Sequence, residues 1–123
     1  MSPSPALKRI TARFYRTAAG NQPVRDWLIA LAAADRKVVG ADIAEVEFAW
    51  PIGKPVCSPL GQGLYEVRST IRNGKVEARI IFGIDGDTMV LLHGHEKKPS
   101  QQSHEIAVAR DRWRDYQAAG RGV

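Results

Sequence analysis

Two arginines stand where the chain is set to fold back on itself. The stretch Leu64-Tyr-Glu-Val-Arg-Ser-Thr-Ile-Arg-Asn-Gly-Lys-Val-Glu-Ala-Arg-Ile-Ile-Phe-Gly83 holds two runs rich in β-branched and aromatic residues on either side of Asn73-Gly74. Asn-Gly between such runs is the strongest short-range signal for a two-residue type I′ hairpin. Counting outward from that loop sets Arg72 against Lys75, Ile71 against Val76, Thr70 against Glu77 and Arg68 against Arg79. Side chains alternate between the faces of a strand. Tyr65, Val67, Ser69, Ile71, Val76, Ala78, Ile80 and Phe82 therefore share a core face, and Glu66, Arg68, Thr70, Arg72, Lys75, Glu77 and Arg79 share the other. Like charges directly opposite each other destabilise a sheet, so a hairpin that keeps two arginines together is a candidate anion site.

The competing reading is an exposed charge ladder, with Glu77 tempering Arg68 and Glu66 tempering Arg79 on the diagonals. The hairpin alone leaves both open. Lys97-Lys98, at the end of the next strand, adds cations to the same sheet and tips the balance toward phosphate, which guanidinium forks grip in bidentate fashion. His93 and His95 lie two apart on that strand and share a face, with Glu96 nearby. No third ligand follows at a usual metal spacing and Cys57 is remote, so no metal is expected and His93 reads as a hydrogen-bonded interior residue. His95, beside the lysines, is the better acid–base candidate. No Gly-rich phosphate loop, nucleophile elbow, Ser/His/Asp set or paired carboxylate pattern is present.

The elements that must position these groups follow from pattern. At 123 residues the chain is long enough for one domain with its own core, and a single cysteine excludes an internal disulfide framework. No apolar run approaches the roughly 18 residues of a membrane span, and the start lacks the apolar core of a secretory signal. The net charge is +5, and Lys8, Arg9, Arg13, Arg16 and Arg25 supply as much with no acid among them, which favours an anionic partner. Residues 1–7 read as a flexible tail and 8–120 as one domain. A strand is expected over Lys8–Arg16, and a helix from Pro23 to about Ala33 with Val24, Trp27, Leu28 and Leu31 on one face. A second helix, capped by Asp35, carries Val39, Ile43, Val46 and Trp50 up to Pro51. Residues 51–63, with three prolines and three glycines, read as a loop leading into the hairpin. Thr88–His95, apolar on both faces at first, reads as a central strand. A last helix, capped by Ser100 or Ser103, buries Ile106, Ala109, Trp113 and Tyr116 and ends at Gly120. The three tryptophans, at helical core spacing, read as packing. The order β-α-α-β-β-β-α gives an α+β fold: a mostly antiparallel four-stranded sheet with an N-terminal helical pair and a C-terminal helix, the helices on one face.

Leu60-Gly-Gln-Gly-Leu-Tyr-Glu-Val-Arg68, then Ala78-Arg-Ile-Ile-Phe82, then Leu91-Leu-His-Gly-His-Glu-Lys-Lys98 resembles the phage-derived, HigB-like branch of the RelE/ParE toxin superfamily. A weaker similarity continues upstream through Gln22-Pro-Val-Arg-Asp-Trp-Leu28. His95 stands where that branch usually carries phenylalanine. The resemblance implies a RelE-like toxin of a toxin–antitoxin pair: a ribosome-dependent mRNA endonuclease working in the cytoplasm, without a metal or other cofactor, restrained by a cognate, helix-turn-helix antitoxin. On the matching positions it implies Arg68, Arg79 and Lys97 as catalytic groups with His95 as a competing acid or base. Lys54, Arg72, Lys75 and Lys98 are then expected to contact RNA. Cleavage would use the neighbouring 2′-OH, which DNA lacks. The alternatives are a ParE-like toxin that inhibits gyrase and cleaves nothing, and a nucleic-acid-binding module without turnover.

Overall fold

The computed structural model describes residues 7–121. It runs through β1 (Thr11–Phe14), α1 (Pro23–Ala30), α2 (Ala33–Ala49), β2 (Cys57–Gly61), β3 (Leu64–Ile71), β4 (Val76–Asp85), β5 (Thr88–Glu96), a 3-10 turn (Pro99–Gln101) and α3 (Gln102–Arg121). The expected tail lies, except for Leu7, outside the described residues. The hairpin forms in the expected register, with Arg68 opposite Arg79 and Ile71 opposite Val76. The loop is longer than the expected two residues, since the last strand pair is Ile71–Val76. Arg72 (φ 51°), Asn73 (φ 55°) and Gly74 (φ 85°) are all in the left-handed region. The Gly74 and Lys75 amides bond the Ile71 and Arg72 carbonyls at 3.1 and 3.2 Å, so Arg72 and Lys75 belong to the turn and not to the ladder.

The sheet has five strands, not four, in the order β1-β5-β4-β3-β2; β1 runs parallel to β5 and the remaining pairs are antiparallel. The extra strand comes from the segment expected to be a loop. Cys57 and Ser58 pair with Val67 and Glu66, and a Gly61-Gln62-Gly63 turn, all at positive φ, delivers the chain into β3. Proline within this strand is tolerated because β2 is an edge and needs no outward amide at Pro59. The other edge, β1, is guarded differently. Buried Glu47 of α2 accepts the outward Ala12 amide at 2.8 Å, and Lys8 neutralises the same carboxylate oxygen at 3.1 Å. Both devices blunt an edge that would otherwise invite strand pairing.

The helices do not share a face. Val24 of α1 and Val39, Ile43 and Val46 of α2 pack on Val67, Ile80, Phe82 and Leu91, whereas Ala109 and Trp113 of α3 pack on Leu64, Ile81, Val90 and Leu92. Consecutive apolar residues in β4 and β5 make both faces of the sheet centre apolar, so each face needs its own cover. Trp27 and Trp113 supply much of it from opposite sides. Trp113 lies over Gly83 and Trp27 over Gly94, so close that a Cβ on either glycine would sit 2.8 Å from indole carbons. Trp50 packs edge-on against Tyr65 and Phe82, at ring-centroid distances of 4.9 and 5.8 Å.

Boundaries also shift. β1 is shorter than Lys8–Arg16, with Phe14 exposed and Tyr15 buried beneath α3. α2 starts at Ala33 behind Ala32, without a side-chain cap. Asp35 instead sits in the first turn and accepts the Arg72 amide at 3.0 Å, pinning the hairpin tip to α2. Arg36 closes the end of α1, donating to the carbonyls of Leu28, Ile29 and Leu31. The 3-10 turn before α3 begins at Pro99 behind Lys98, without a side-chain cap, and α3 continues through Gly120 to Arg121.

Because the indoles fill the space a methyl group would need, Gly83→Ala and Gly94→Ala should each lower stability by about 1–3 kcal/mol in urea unfolding. Gly53→Ala, where a Cβ meets nothing within 4 Å, should change it little.

Candidate functional site

The expected arginine pair forms, but its members have different surroundings. Glu66, fully buried in the middle of β3, accepts from Arg68 Nε at 3.0 Å and lies 3.5 Å from an Arg79 terminal nitrogen, both through Oε1. Its Oε2 is buried without a partner among the described residues. Arg79, itself buried, is saturated: Nε and a terminal nitrogen bind Glu77 Oε2 at 2.7 Å, and the other terminal nitrogen donates to Gln102 of α3 at 3.2 Å. Among the described residues Arg68 is held by Nε alone, and its side chain is 30% exposed. The solvated charge ladder is therefore overturned for Glu66 and Arg79, which α3 covers from above. Carboxylates two residues along the same strands pair with these arginines at least as closely as the diagonal partners do.

Arg68 opens onto a groove of about 510 Å³ beside β3, lined also by residues 52–56 that lead into β2. Lys54, Thr70 and Glu77 line it with Arg68, and so do Val38, Asp42 and Glu45 of α2. Lys97 continues the line of β5 across from Glu77, its amide donating to the Glu77 carbonyl at 2.8 Å. Lys97 and Lys98 are exposed and make no ion pair among the described residues. Lys54 and Lys75 are likewise exposed and unpaired, Lys75 at the hairpin tip. Arg72 differs: it lies beyond the end of β3 with φ 51°, and its guanidinium is engaged by Glu96 at 2.8 Å.

His95 is not placed beside the lysines as an open acid–base group. On β5 it lies directly opposite Arg79 of β4 and is buried, 5% exposed. Its ring stacks on His93 at 5.6 Å. Its Nδ1 faces the Glu96 carbonyl at 3.1 Å and Glu105 Oε2 at 3.2 Å; both are acceptors, so this nitrogen carries the proton. Nε2 is buried without a hydrogen-bond partner among the described residues. Arg112 of α3 lies 3.1 Å from His93 Nδ1 and donates to the Leu92 carbonyl at 2.8 Å, while Glu105 Oε1 lies 3.3 Å from His93 Nε2. Glu105 thus spans the two histidines and ties α3 to β5. Burial lowers the His93 pKa, outweighing the Glu105 carboxylate that raises it. Among the described residues no group of three or more His, Cys, Asp and Glu has an arrangement that would hold a metal ion. Burial and the neighbouring Glu66 charge push the Cys57 thiol up to about 11, so it stays protonated near neutral pH.

The sequence reading missed Gln102, Glu105 and Arg112, which reach the sheet only because α3 crosses the arginine face. Spacing held a signal for two of them: Glu105 and Arg112 are seven apart and flank the Ile106–Trp113 stripe. Val38, Asp42 and Glu45, at i, i+4 and i+7, likewise mark one side of α2.

A family model described as phage derived protein Gp49-like (DUF891) matches residues 26–114, a span that holds every one of these groove and network residues. No curated protein matches the chain.

Two measurements test the site's construction. Glu66→Ala removes a charged hydrogen-bond partner of Arg68 and the second carboxylate beside Arg79, with Glu77 remaining, and should cost about 1.5–3 kcal/mol of unfolding free energy. The lowered His93 pKa means the unfolded chain takes up its proton first as pH falls. His93 then contributes stability above its ordinary value of about 6.5, lost as pH falls from there toward the folded value. The denaturation midpoint should drop over that window, and His93→Gln should flatten the drop.

Proposed function

The chain belongs to the phage-derived Gp49-like family, a family of toxin–antitoxin toxins of the RelE/ParE-like type, and from that membership we propose that it is a HigB-like, ribosome-dependent mRNA endonuclease. Family membership also implies a cognate antitoxin as partner; we take this to be a helix-turn-helix DNA-binding protein. No helix among the described residues is long and apolar enough to cross a membrane. The working place that fits ribosomes and mRNA is the cytoplasm, and the toxin domain is taken to span 8–120.

The observation that carries the proposal is Arg68: a guanidinium gripped by a buried carboxylate through Nε, with no other side-chain hydrogen bond or ion pair among the described residues, lining a groove shared with Lys54. That is how a side chain is pre-aimed at a phosphate without being neutralised. In the proposed reaction the 2′-oxygen of the preceding ribose attacks phosphorus in line. The new 2′-O–P bond forms as the P–O5′ bond breaks, leaving a 2′,3′-cyclic phosphate and a free 5′-hydroxyl. Arg68 and Lys54 balance the charge that builds on the non-bridging oxygens. Lys97, on the row of the sheet next to Arg68 and Arg79, is the candidate to exchange protons with the reacting oxygens, and Lys98 holds flanking phosphates. Lys75 and Arg72 at the hairpin tip extend the basic track. Arg79 acts one step behind, fixing Glu66 and hence Arg68; His95, enclosed beneath α3, lies behind Arg79. A site that leaves part of the acid–base work undone accounts for dependence on the ribosome, which would orient the mRNA.

Purified protein added to translating ribosomes should give cuts in A-site mRNA. Arg68→Ala should slow cutting about 100- to 1,000-fold, the usual loss for one donor to transition-state charge, with Lys54→Ala and Lys97→Ala smaller. Intact mRNA together with gyrase-dependent DNA damage would overturn the proposal. So would salt-sensitive RNA binding without cutting.

A further inference from the structure

The groove has an acidic wall that phosphate binding does not explain. Asp42 and Glu45 face it from α2, and neither carboxylate has a hydrogen bond or ion pair among the described residues. Lys54 and Arg68 line the same groove, yet among the described residues neither forms an ion pair with Asp42 or Glu45. A groove for phosphate alone gains nothing from carboxylates, which repel the anion. Opposite charges held apart across a groove fit a ligand with an anionic end and a hydrogen-bond-donor end. A nucleotide has both, and about 510 Å³ lies within the roughly 300–1,000 Å³ of small-ligand pockets.

The bases differ in what they offer a carboxylate. Guanine presents adjacent N1–H and N2–H donors, which one carboxylate accepts as two parallel hydrogen bonds. Cytosine and adenine offer one amino group beside an acceptor. Uracil offers a single N–H between two carbonyls, which repel an anion. Val38, 40% exposed on the same helix face, and half-buried Ile52 supply apolar surface for the flat side of a ring. We infer that Asp42 and Glu45 read the base of the nucleotide whose phosphate Arg68 holds, and that the groove selects guanine. This rests on the reading of the groove as an RNA site and adds to it which nucleotide is taken.

The test is titration of the full-length protein with guanosine 3′-monophosphate, uridine 3′-monophosphate and inorganic phosphate, followed by NMR or calorimetry. The guanine nucleotide should bind at least about tenfold more tightly than the uracil one. The double variant Asp42→Asn, Glu45→Gln should lose that preference and bind inorganic phosphate no worse, since it removes two repelling charges. Both positions are at least partly exposed, and an unchanged melting curve confirms folding. Equal binding of the two nucleotides, or a preference that survives the double variant, would overturn the inference. Because titration needs no ribosome, a guanine preference alongside uncut mRNA would sink the endonuclease reading and leave base selection standing. Ribosomal cutting with an unchanged codon pattern in the double variant would sink base selection alone.

Discussion

A carboxylate sealed inside a β-sheet between two opposed guanidinium groups is the constraint on which the rest of this molecule depends. Arg68 and Arg79 face each other on neighbouring strands, and without Glu66 their repulsion would work against the central pairing of the sheet. Removed from water, a charge is tolerated only when paired and hydrogen-bonded, so Glu66 and Arg79 hold each other in place. Glu77 and Gln102 complete the shell around Arg79. What is left over is asymmetry: Arg68 keeps a hydrogen bond at Nε, makes no other side-chain hydrogen bond or ion pair among the described residues, and lines the groove.

That asymmetry between chemically identical side chains comes from how the sheet is covered. α3 crosses the arginine face over β4 and β5, where Leu64, Ile81, Val90 and Leu92 meet Ala109 and Trp113. Its first turns reach Arg79, His93 and His95 through Gln102 and Glu105. Arg68 lies nearer the edge, past the end of β2, where the chain around Lys54 and the flank of α2 leave a groove instead of a lid. Position within the sheet thus divides the labour. The inner arginine holds the structure together and the outer one is presented. The same cover turns the unusual histidine of the fifth strand into an interior group stacked on His93.

Close packing sets the tolerance of this arrangement. Trp27 and Trp113 press on bare backbone at Gly94 and Gly83 from opposite sides, which places α1 and α3 against β5 and β4. Since Gly94 lies between the two histidines in β5, the packing of α1 beneath and the Glu105 bridge above act on one short stretch of chain. The helix that shapes the groove wall is tied in as well, because Asp35 of α2 holds the Arg72 amide at the hairpin tip.

Local chemistry determined much of this before any folding. Asn73-Gly74 sets the turn, the turn sets the register, and the register puts Arg68 opposite Arg79 whatever surrounds them, because these are interactions among neighbours in sequence. The same holds for Pro23 starting α1 and for the α3 stripe of Ile106, Ala109, Trp113 and Tyr116. Tertiary structure alone decided which face each helix covers, and therefore which arginine is saturated and which is presented. It also made a strand of Cys57–Gly61, since a short proline-bearing segment becomes a strand only when β3 offers it a ladder. The burial of Glu66 and His95 was illegible in the residue pattern for the same reason. Charged and polar residues alternating with a core face read as solvent-facing until a helix from the far end of the chain is laid over them.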